Sequence, residues 1–323
     1  MKRALAFARK LCGEIARHGP MLDARAVLDR GDALSLARPG LFSANRSCRL
    51  IAAADGWVAL NLARGDDRDL VSAWLEQPAD GACWPDIARA ARHVPVAILR
   101  ARAAMLGLPL SVLGEAAARL PEERQAGTAA PRRGPLRVVD LSSLWAGPLC
   151  ASILAQAGAQ VVKVESMARR DTTPASAPAL DARLNGAKGR VALDFADPAA
   201  RAELTELIAG ADVLVTNARA RAFPGLGLAP DALFAANPAL IWVAITGHGW
   251  ASERVAFGDD AAAAGGLVRR TRAGAPRFLG DAIADPLTGL AAARAALCAL
   301  ESDRGMFIDA SMAGIAAAAA VGP

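Results

Sequence analysis

The chain has 323 residues, 54% of them apolar and 21% charged, with 37 basic against 32 acidic side chains and a formal charge of +5. This excludes a disordered or all-polar chain, and the length suffices to bury about 75% of the unfolded surface in one large core or two modest ones. Four of the basic residues are lysines (Lys2, Lys10, Lys163, Lys188), and the arginines form no stripe with interleaved aromatics, which argues against nucleic acid and suits an anionic small molecule equally well.

The opening MKRALAFARKLCGEIARHG carries charges that deny the unbroken apolar stretch of a signal peptide. Segment 2–17 reads instead as an amphipathic helix. Five cysteines (Cys12, Cys48, Cys83, Cys150, Cys298) form no CxxC pair, which favours reduced thiols and a cytoplasmic location over a disulfide scaffold or zinc ribbon. Cys48–Ala53, Asp55-Gly56 and Trp57–Leu62 then read as a hairpin closed by a two-residue type I′ turn. Helical patterns follow at 67–77, 84–91, 95–106 and 110–119. Pro121 to Pro135 (PEERQAGTAAPRRGP) is rich in Pro, Gly and Arg and is expected to be a linker. It divides a smaller mixed α+β region, 1–120, from a second region, 136–323.

In the second region apolar strands alternate with helices. Strands are predicted at Leu136–Leu141, Gln160–Glu165, Val191–Phe195, Asp212–Thr216, Leu240–Thr246 and Met306–Ala310, and helices at Leu149–Ala157, 198–209, 230–236 and from Asp285-Pro286 to about Ser302. The uncharged run Leu141–Val162 reaches membrane length but contains Ser142, Ser143, Gly147-Pro148 and two glutamines, so it is read as strand, turn and helix, with no membrane span. Continuous apolar strands joined by helices imply a doubly wound α/β fold with a mostly parallel, Rossmann-like sheet. Ligands of such sheets sit beyond the carboxyl ends of the strands, which directs attention to the loops after 141, 165, 216 and 246.

The first of these loops, SSLWAGPLC, has one glycine where a dinucleotide site wants GxGxxG. There is no GxSxG, no Walker loop and no evident histidine cluster for a metal. His248, between Gly247 and Gly249 after a strand, is either functional or a solvated turn residue. Asp259-Asp260 precedes the apolar AAAAGGL. Adjacent aspartates at a helix start are commonly caps; alternatively one of them faces a water-poor pocket, where lost hydration sharpens a nucleophile. Asp285, before Pro286, reads as an N-cap.

The ordered series VVDLSSLWAGPLCASILAQAGAQVVKVES, LNGAKGRVALDF, ADVLVTNARARAFPGLGL, NPALIWVAITGHG, GDDAAAAGGL and GDAIADPLTGLAAARAAL with FIDASMAG resembles the family III coenzyme A transferases (CaiB/BaiF type, which include α-methylacyl-CoA racemases). The resemblance runs through most of 136–311 and implies an interlocked dimer, either of identical chains or with a related subunit. It implies CoA transfer from an acyl-CoA to a carboxylic acid acceptor, through an aspartyl mixed anhydride and an aspartyl-CoA thioester, with no cofactor beyond CoA as substrate. The family's aspartate, one residue after a glycine-plus-one pattern, falls on Asp260, with Asp259 as the alternative. The resemblance places Ala146, Gly147 and Pro148 along the pantetheine path. It places Arg169 or Arg170, Asn185, Lys188, Arg190, Asn217 and Arg219 near adenine and phosphates. Ala218 replaces an expected aromatic, and SANRSCRLIAAADGWVALNLA (43–63) resembles family sequence that normally follows the α/β core, so the segment order is permuted. Two alternatives remain: a racemase, in which His248 would pair with an aspartate, and a CoA-binding partner subunit without catalysis.

Overall fold

The computed structural model describes residues 1–78, 80–81, 83–129, 134–302 and 304–322. The chain opens with helix α1 (Lys2–Ile15) and a short α2 (Ala24–Val27), then the hairpin β1 (Cys48–Ala52) and β2 (Trp57–Asn61). Helices α3 (Gly65–Asp69), α4 (Val71–Leu75), α5 (Trp84–Ala91) and α6 (Val96–Leu106) lead to β3 (Leu110–Val112). The larger unit runs β4 (Glu122–Ala129), β5 (Arg137–Leu141), α7 (Ala146–Gln156), β6 (Gln160–Ser166), α8 (Thr173–Ser176), α9 (Pro178–Asn185) and β7 (Gly189–Leu193). It continues through α10 (Pro198–Ala209), β8 (Val213–Thr216), α11 (Pro230–Ala236), β9 (Ile241–Thr246) and α12 (Gly258–Ala264). A hairpin β10 (Val268–Arg270) and β11 (Pro276–Phe278), helix α13 (Ala284–Leu300), β12 (Arg304–Ser311) and α14 (Met312–Val321) complete it.

Among the described residues, seven strands form one sheet in the order β4-β12-β9-β8-β5-β6-β7, with β4 antiparallel and the other six parallel. The doubly wound, mostly parallel α/β architecture and all six strands read from 136–323 are therefore present. One sheet face packs Val138, Val213, Ile241 and Ile308 against α7 and α13. The other packs Val139, Leu214, Trp242 and Phe307 under α10 and α11. The run 141–162 does split into strand end, loop, helix and strand, and no described helix is long and apolar enough to cross a membrane.

The expected linker is corrected. Residues Glu122–Ala129 pair with β12 from Asp309↔Glu122 to Arg304↔Ala129; residues 130–133 lie outside the described ones. A polar edge strand needs only its backbone to pair, and charged side chains on an edge discourage further strands from adding. Gly127 and Gly305 lie so close to the Pro238 carbonyl that a Cβ on either would collide with it.

The first region is also not one unit. Phe7, Leu11 and Ile15 of α1 join the core of the large sheet, where α1 packs on α13. The smaller core is built from Ile51, Leu60, Trp74, Ile87, Leu99 and Leu110. Its three-stranded antiparallel sheet, β1-β2-β3, takes Leu110–Val112 of the segment read as a helix at 110–119, and residues 113–119 form neither helix nor strand. Gly107, at φ 68°, ends α6, and the Leu110-Ser111 pair is buried on both sides of the strand that follows.

The β1–β2 turn differs from type I′. The Ala53 N–H donates to the Gly56 carbonyl, so Ala54 and Asp55 are central. The Asp55 carboxylate is used elsewhere, accepting the Val96 N–H at 2.8 Å and capping α6.

Candidate active site

The sheet reverses its winding between β5 and β8, so the loops following these strands flank the crevice where a ligand of such a fold sits. The loop after β5 is fastened at each residue. Ser142 N–H donates to Asp140 Oδ1 at 3.0 Å, and Lys163 Nζ donates to the Ser142 carbonyl at 2.7 Å. Asn217, at the end of β8, donates to the Ser143 carbonyl at 2.9 Å and accepts the Ser143 N–H at 3.2 Å. Asp171 accepts the Leu144 N–H at 3.0 Å and meets Lys163 Nζ at 3.3 Å. These ties hold Leu144 at φ 70°, a region a leucine adopts only when its surroundings impose it. Burial opposes the ionised Asp171, but the Thr173 N–H and hydroxyl and the Lys163 charge hold its carboxyl below its ordinary range.

Ala146, Gly147 and Pro148 form the buried first turn of α7. Gly147 backs onto the Ser142 side chain so closely that a Cβ there would collide with it. Lys188 is the principal departure from the phosphate set. Its ammonium is buried and donates to Asp140 Oδ2 at 2.7 Å, Asn185 Oδ1 at 2.8 Å and the Pro148 carbonyl at 2.9 Å. With three donors and three acceptors, Lys188 ties β5 to α7 and has no hydrogen left for a phosphate. Asn185 is likewise engaged, donating to Asp181 Oδ1 at 2.8 Å.

Arg169, exposed after β6, and Arg219 line a cleft of about 510 Å³ together with Arg64 and Arg221. Arg64 also donates to the Gly107 carbonyl at 2.8 Å, and Arg221 pairs with Glu253 at 3.4 Å. Partial burial, and then the neighbouring Arg221, lower the Arg219 pKa from its ordinary value. Asp66, Asp67 and Glu253 share the cleft, and Arg64 is ion-paired with Asp67. Arg170 is exposed, and Arg190 is paired with Asp181 at 2.6 Å.

Helix α12 lies under the small sheet, packed on β2 and β3. Asp259 and Asp260 are 3% and 0% exposed, and burial pushes both up to about 7. Asp259 is raised further by Asp281; its Oδ1 accepts the Ala282 N–H at 2.9 Å. Asp260 Oδ1 accepts the Phe257 N–H at 3.0 Å, which caps the helix, and Asn61 Nδ2 at 3.0 Å. Its Oδ2 is buried with no partner, a state that costs about 1–3 kcal/mol. The cap and the nucleophile readings thus describe the two oxygens of one carboxylate.

Beside Asp259, Arg30 pairs with Asp281 and stacks on Trp145 at 4.4 Å. Asp285 lies inside the first turn of α13, whose N-cap is Ile283. The N-cap expected at Asp285 therefore lies two residues earlier, at Ile283, and the Asp285 carboxyl accepts the Ala146 N–H at the start of α7; burial pushes it up to about 7. His248 Nε2 lies 3.4 Å from Ser111 Oγ. Burial and then Arg254 lower its pKa to about 4, so the ring is neutral at pH 7.

Arg30, Asn61, Arg64, Lys163 and Asp171 escaped the sequence reading. For Asn61 a signal existed: one amide inside the apolar strand WVALNLA calls for a buried partner. Arg30 had none, since its partner lies 251 residues away.

Residues 135–321 match CoA-transferase family III. An acyl-CoA transferase of Fusarium pseudograminearum is 32% identical over 201 residues, 55% of this chain and 44% of that protein. The succinyl-CoA–L-malate CoA-transferase beta subunit of Chloroflexus aurantiacus is 33% identical over 194 residues, 55% of this chain and 48% of its own. A CAIB/BAIF family protein from Brucella suis superposes with a TM-score of 0.52 at 30% identity, covering 58% of this chain and 55% of that one. The chain spans about half the length of the curated relatives it matches.

Proposed function

The chain belongs to CoA-transferase family III, and from that premise we propose that it moves coenzyme A between carboxylic acids with Asp260 as the nucleophile. The observation that carries this reading is the unpaired, buried Oδ2 of Asp260. Asp259 is less suited, because its carboxylate is held at Ala282 and faces Arg30. In a water-poor site the ionised oxygen attacks the thioester carbon, the C–S bond breaks, and CoA leaves as thiolate. The thiolate then attacks Asp260 Cγ, releasing the donor acid and leaving an aspartyl-CoA thioester. The acceptor carboxylate attacks that carbonyl and expels thiolate, which takes the new acyl group and frees Asp260. Burial keeps water from hydrolysing these intermediates.

The CoA phosphates fit the cleft of Arg169, Arg219, Arg64 and Arg221, with Arg170 and Arg190 further out and the pantetheine arm following Ala146–Pro148 and the Asn217–Ser143 clasp. The named relatives include alpha and beta subunits of one transferase, which supports a second subunit, identical or related, completing the site, and the free cysteines favour a cytoplasmic location. Full burial of Asp260 favours one other reading, a CoA-binding subunit without catalysis. The racemase alternative would recruit His248, whose ring nitrogen instead meets Ser111.

Incubation with succinyl-CoA is expected to label the peptide 257–267 through a bond that hydroxylamine cleaves, with Asp260→Asn abolishing the label and Asp259→Asn keeping it. CoA binding without label would favour the non-catalytic subunit, and label that survives in Asp260→Asn would move the nucleophile to Asp259.

A further inference from the structure

Asn61 is 1% exposed on the last position of β2, in a segment outside the matched residues 135–321. Its amide nitrogen donates to Asp260 Oδ1 at 3.0 Å, while its own carbonyl oxygen is buried without a partner. A buried asparagine kept for folding pairs both ends of its amide. Here one end is idle, and the other touches the carboxylate assigned as nucleophile. The neighbouring positions of the strand are Val58, Ala59 and Leu60, so an aliphatic residue would suit the packing.

We propose that Asn61 is a positioning residue that fixes the orientation of the Asp260 carboxylate, pinning Oδ1 so that Oδ2 is the oxygen that attacks. This rests on the reading of Asp260 as the transferase nucleophile. Two donors converge on Oδ1, the Phe257 N–H and the Asn61 amide, and together they hold the carboxylate plane. Oδ2 forms the bond to the thioester carbon as the C–S bond breaks, and the charge leaves with the CoA thiolate. The Asn61 hydrogen bond also favours the ionised form of Asp260 against its burial. The titratable groups facing this carboxylate are Asp259 on its own helix and Cys48 on β1.

The test compares Asn61→Leu, which keeps the branched shape at a larger volume and removes the donor, with the isosteric Asn61→Asp. The full-length chain is labelled with succinyl-CoA across pH 5–9, and Asp260 is titrated by carbon-13 NMR of aspartate-labelled protein. Asn61→Leu is expected to slow labelling of the 257–267 peptide about tenfold or more at pH 7 and to raise the Asp260 titration midpoint. Asn61→Asp can donate only while its carboxyl is protonated, so its labelling should rise with the wild type as Asp260 ionises towards neutrality and then fall at higher pH, where the wild type levels off. Wild-type rate, pH profile and titration in the variants would overturn the positioning role; if Asn61→Leu does not fold, Asn61→Asp decides alone. A wild-type chain that takes up no label refutes the transferase reading, while the Asp260 titration still decides whether Asn61 holds the carboxylate.

Discussion

Lys188 Nζ lies 2.7 Å from Asp140 Oδ2, and neither side chain is exposed. Burial lowers the lysine pKa and Asp140 opposes that fall, so the pair is a charged joint inside the domain. Removing one member of such a pair leaves an uncompensated buried charge, at a cost of about 3–5 kcal/mol. Lys188→Met is therefore expected to lower the unfolding free energy by that amount, with a correspondingly lower denaturant midpoint. Asp140→Asn combined with Lys188→Met should lose less than the sum of the two single changes. Chemical denaturation of the three variants checks this, and unchanged stability in Lys188→Met would return the lysine to the ligand.

Gly127 tests the edge strand. A methyl at this position meets the Pro238 carbonyl, so Gly127→Ala has to push β4 off β12 or displace the turn before β9. A cost of about 1–3 kcal/mol is expected, in the range of overpacking, with faster amide exchange at Gln125 and Met306, which pair across the two strands. A solvated linker would accept the same methyl freely.

These two sites mark what the sequence could and could not reveal. The parallel strands were legible because each is a short apolar run, such as Ile241–Thr246, bounded by turn residues. Residues 122–129 carry the composition of a loop yet pair as a strand, because an edge strand is held by backbone bonds that composition does not register. The Asp259-Asp260 pair was visible as chemistry without a partner; Asn61, 199 residues away from Asp260, became its partner only through folding. Lys188 was legible as a cation near the crevice, but its three acceptors come from β5, α7 and α9, and no local pattern shows that they converge.

The arginine cleft carries an affinity prediction. Arg169→Ala and Arg219→Ala each remove a guanidinium from the space shared with Arg64 and Arg221. A charged hydrogen bond contributes about 1.5–3 kcal/mol, so each change should weaken CoA binding about tenfold or more. Dephospho-CoA should show a smaller loss for whichever arginine meets the 3′-phosphate. Calorimetric titration at two salt concentrations checks both, since the loss should shrink at high salt. Equal affinity for all variants would place the phosphates elsewhere.

The buried carboxylates set the pH dependence of stability, and its sign follows from competing groups. Asp259, Asp260 and Asp285 are each pushed up to about 7 by burial, so the folded chain keeps protons that the unfolded chain has released above its carboxylate range. That contribution is fully present below about pH 4 and is lost as pH rises through 7. His248 acts oppositely: lowered to about 4, it makes folding more favourable as pH rises from 4 to 6.5. Three carboxylates outweigh one imidazole, so net stability should fall between about pH 5 and 7.5 by an amount on the order of a few kcal/mol. Thermal unfolding is expected to show a higher midpoint at pH 5 than at pH 7.5. Asp259→Asn should flatten that slope by removing one titrating group, while leaving stability near pH 4 close to the wild type. A midpoint that climbs with pH would mean that these carboxyls are ionised in the folded chain, and that Asp260 reaches its reactive form without the help of Asn61.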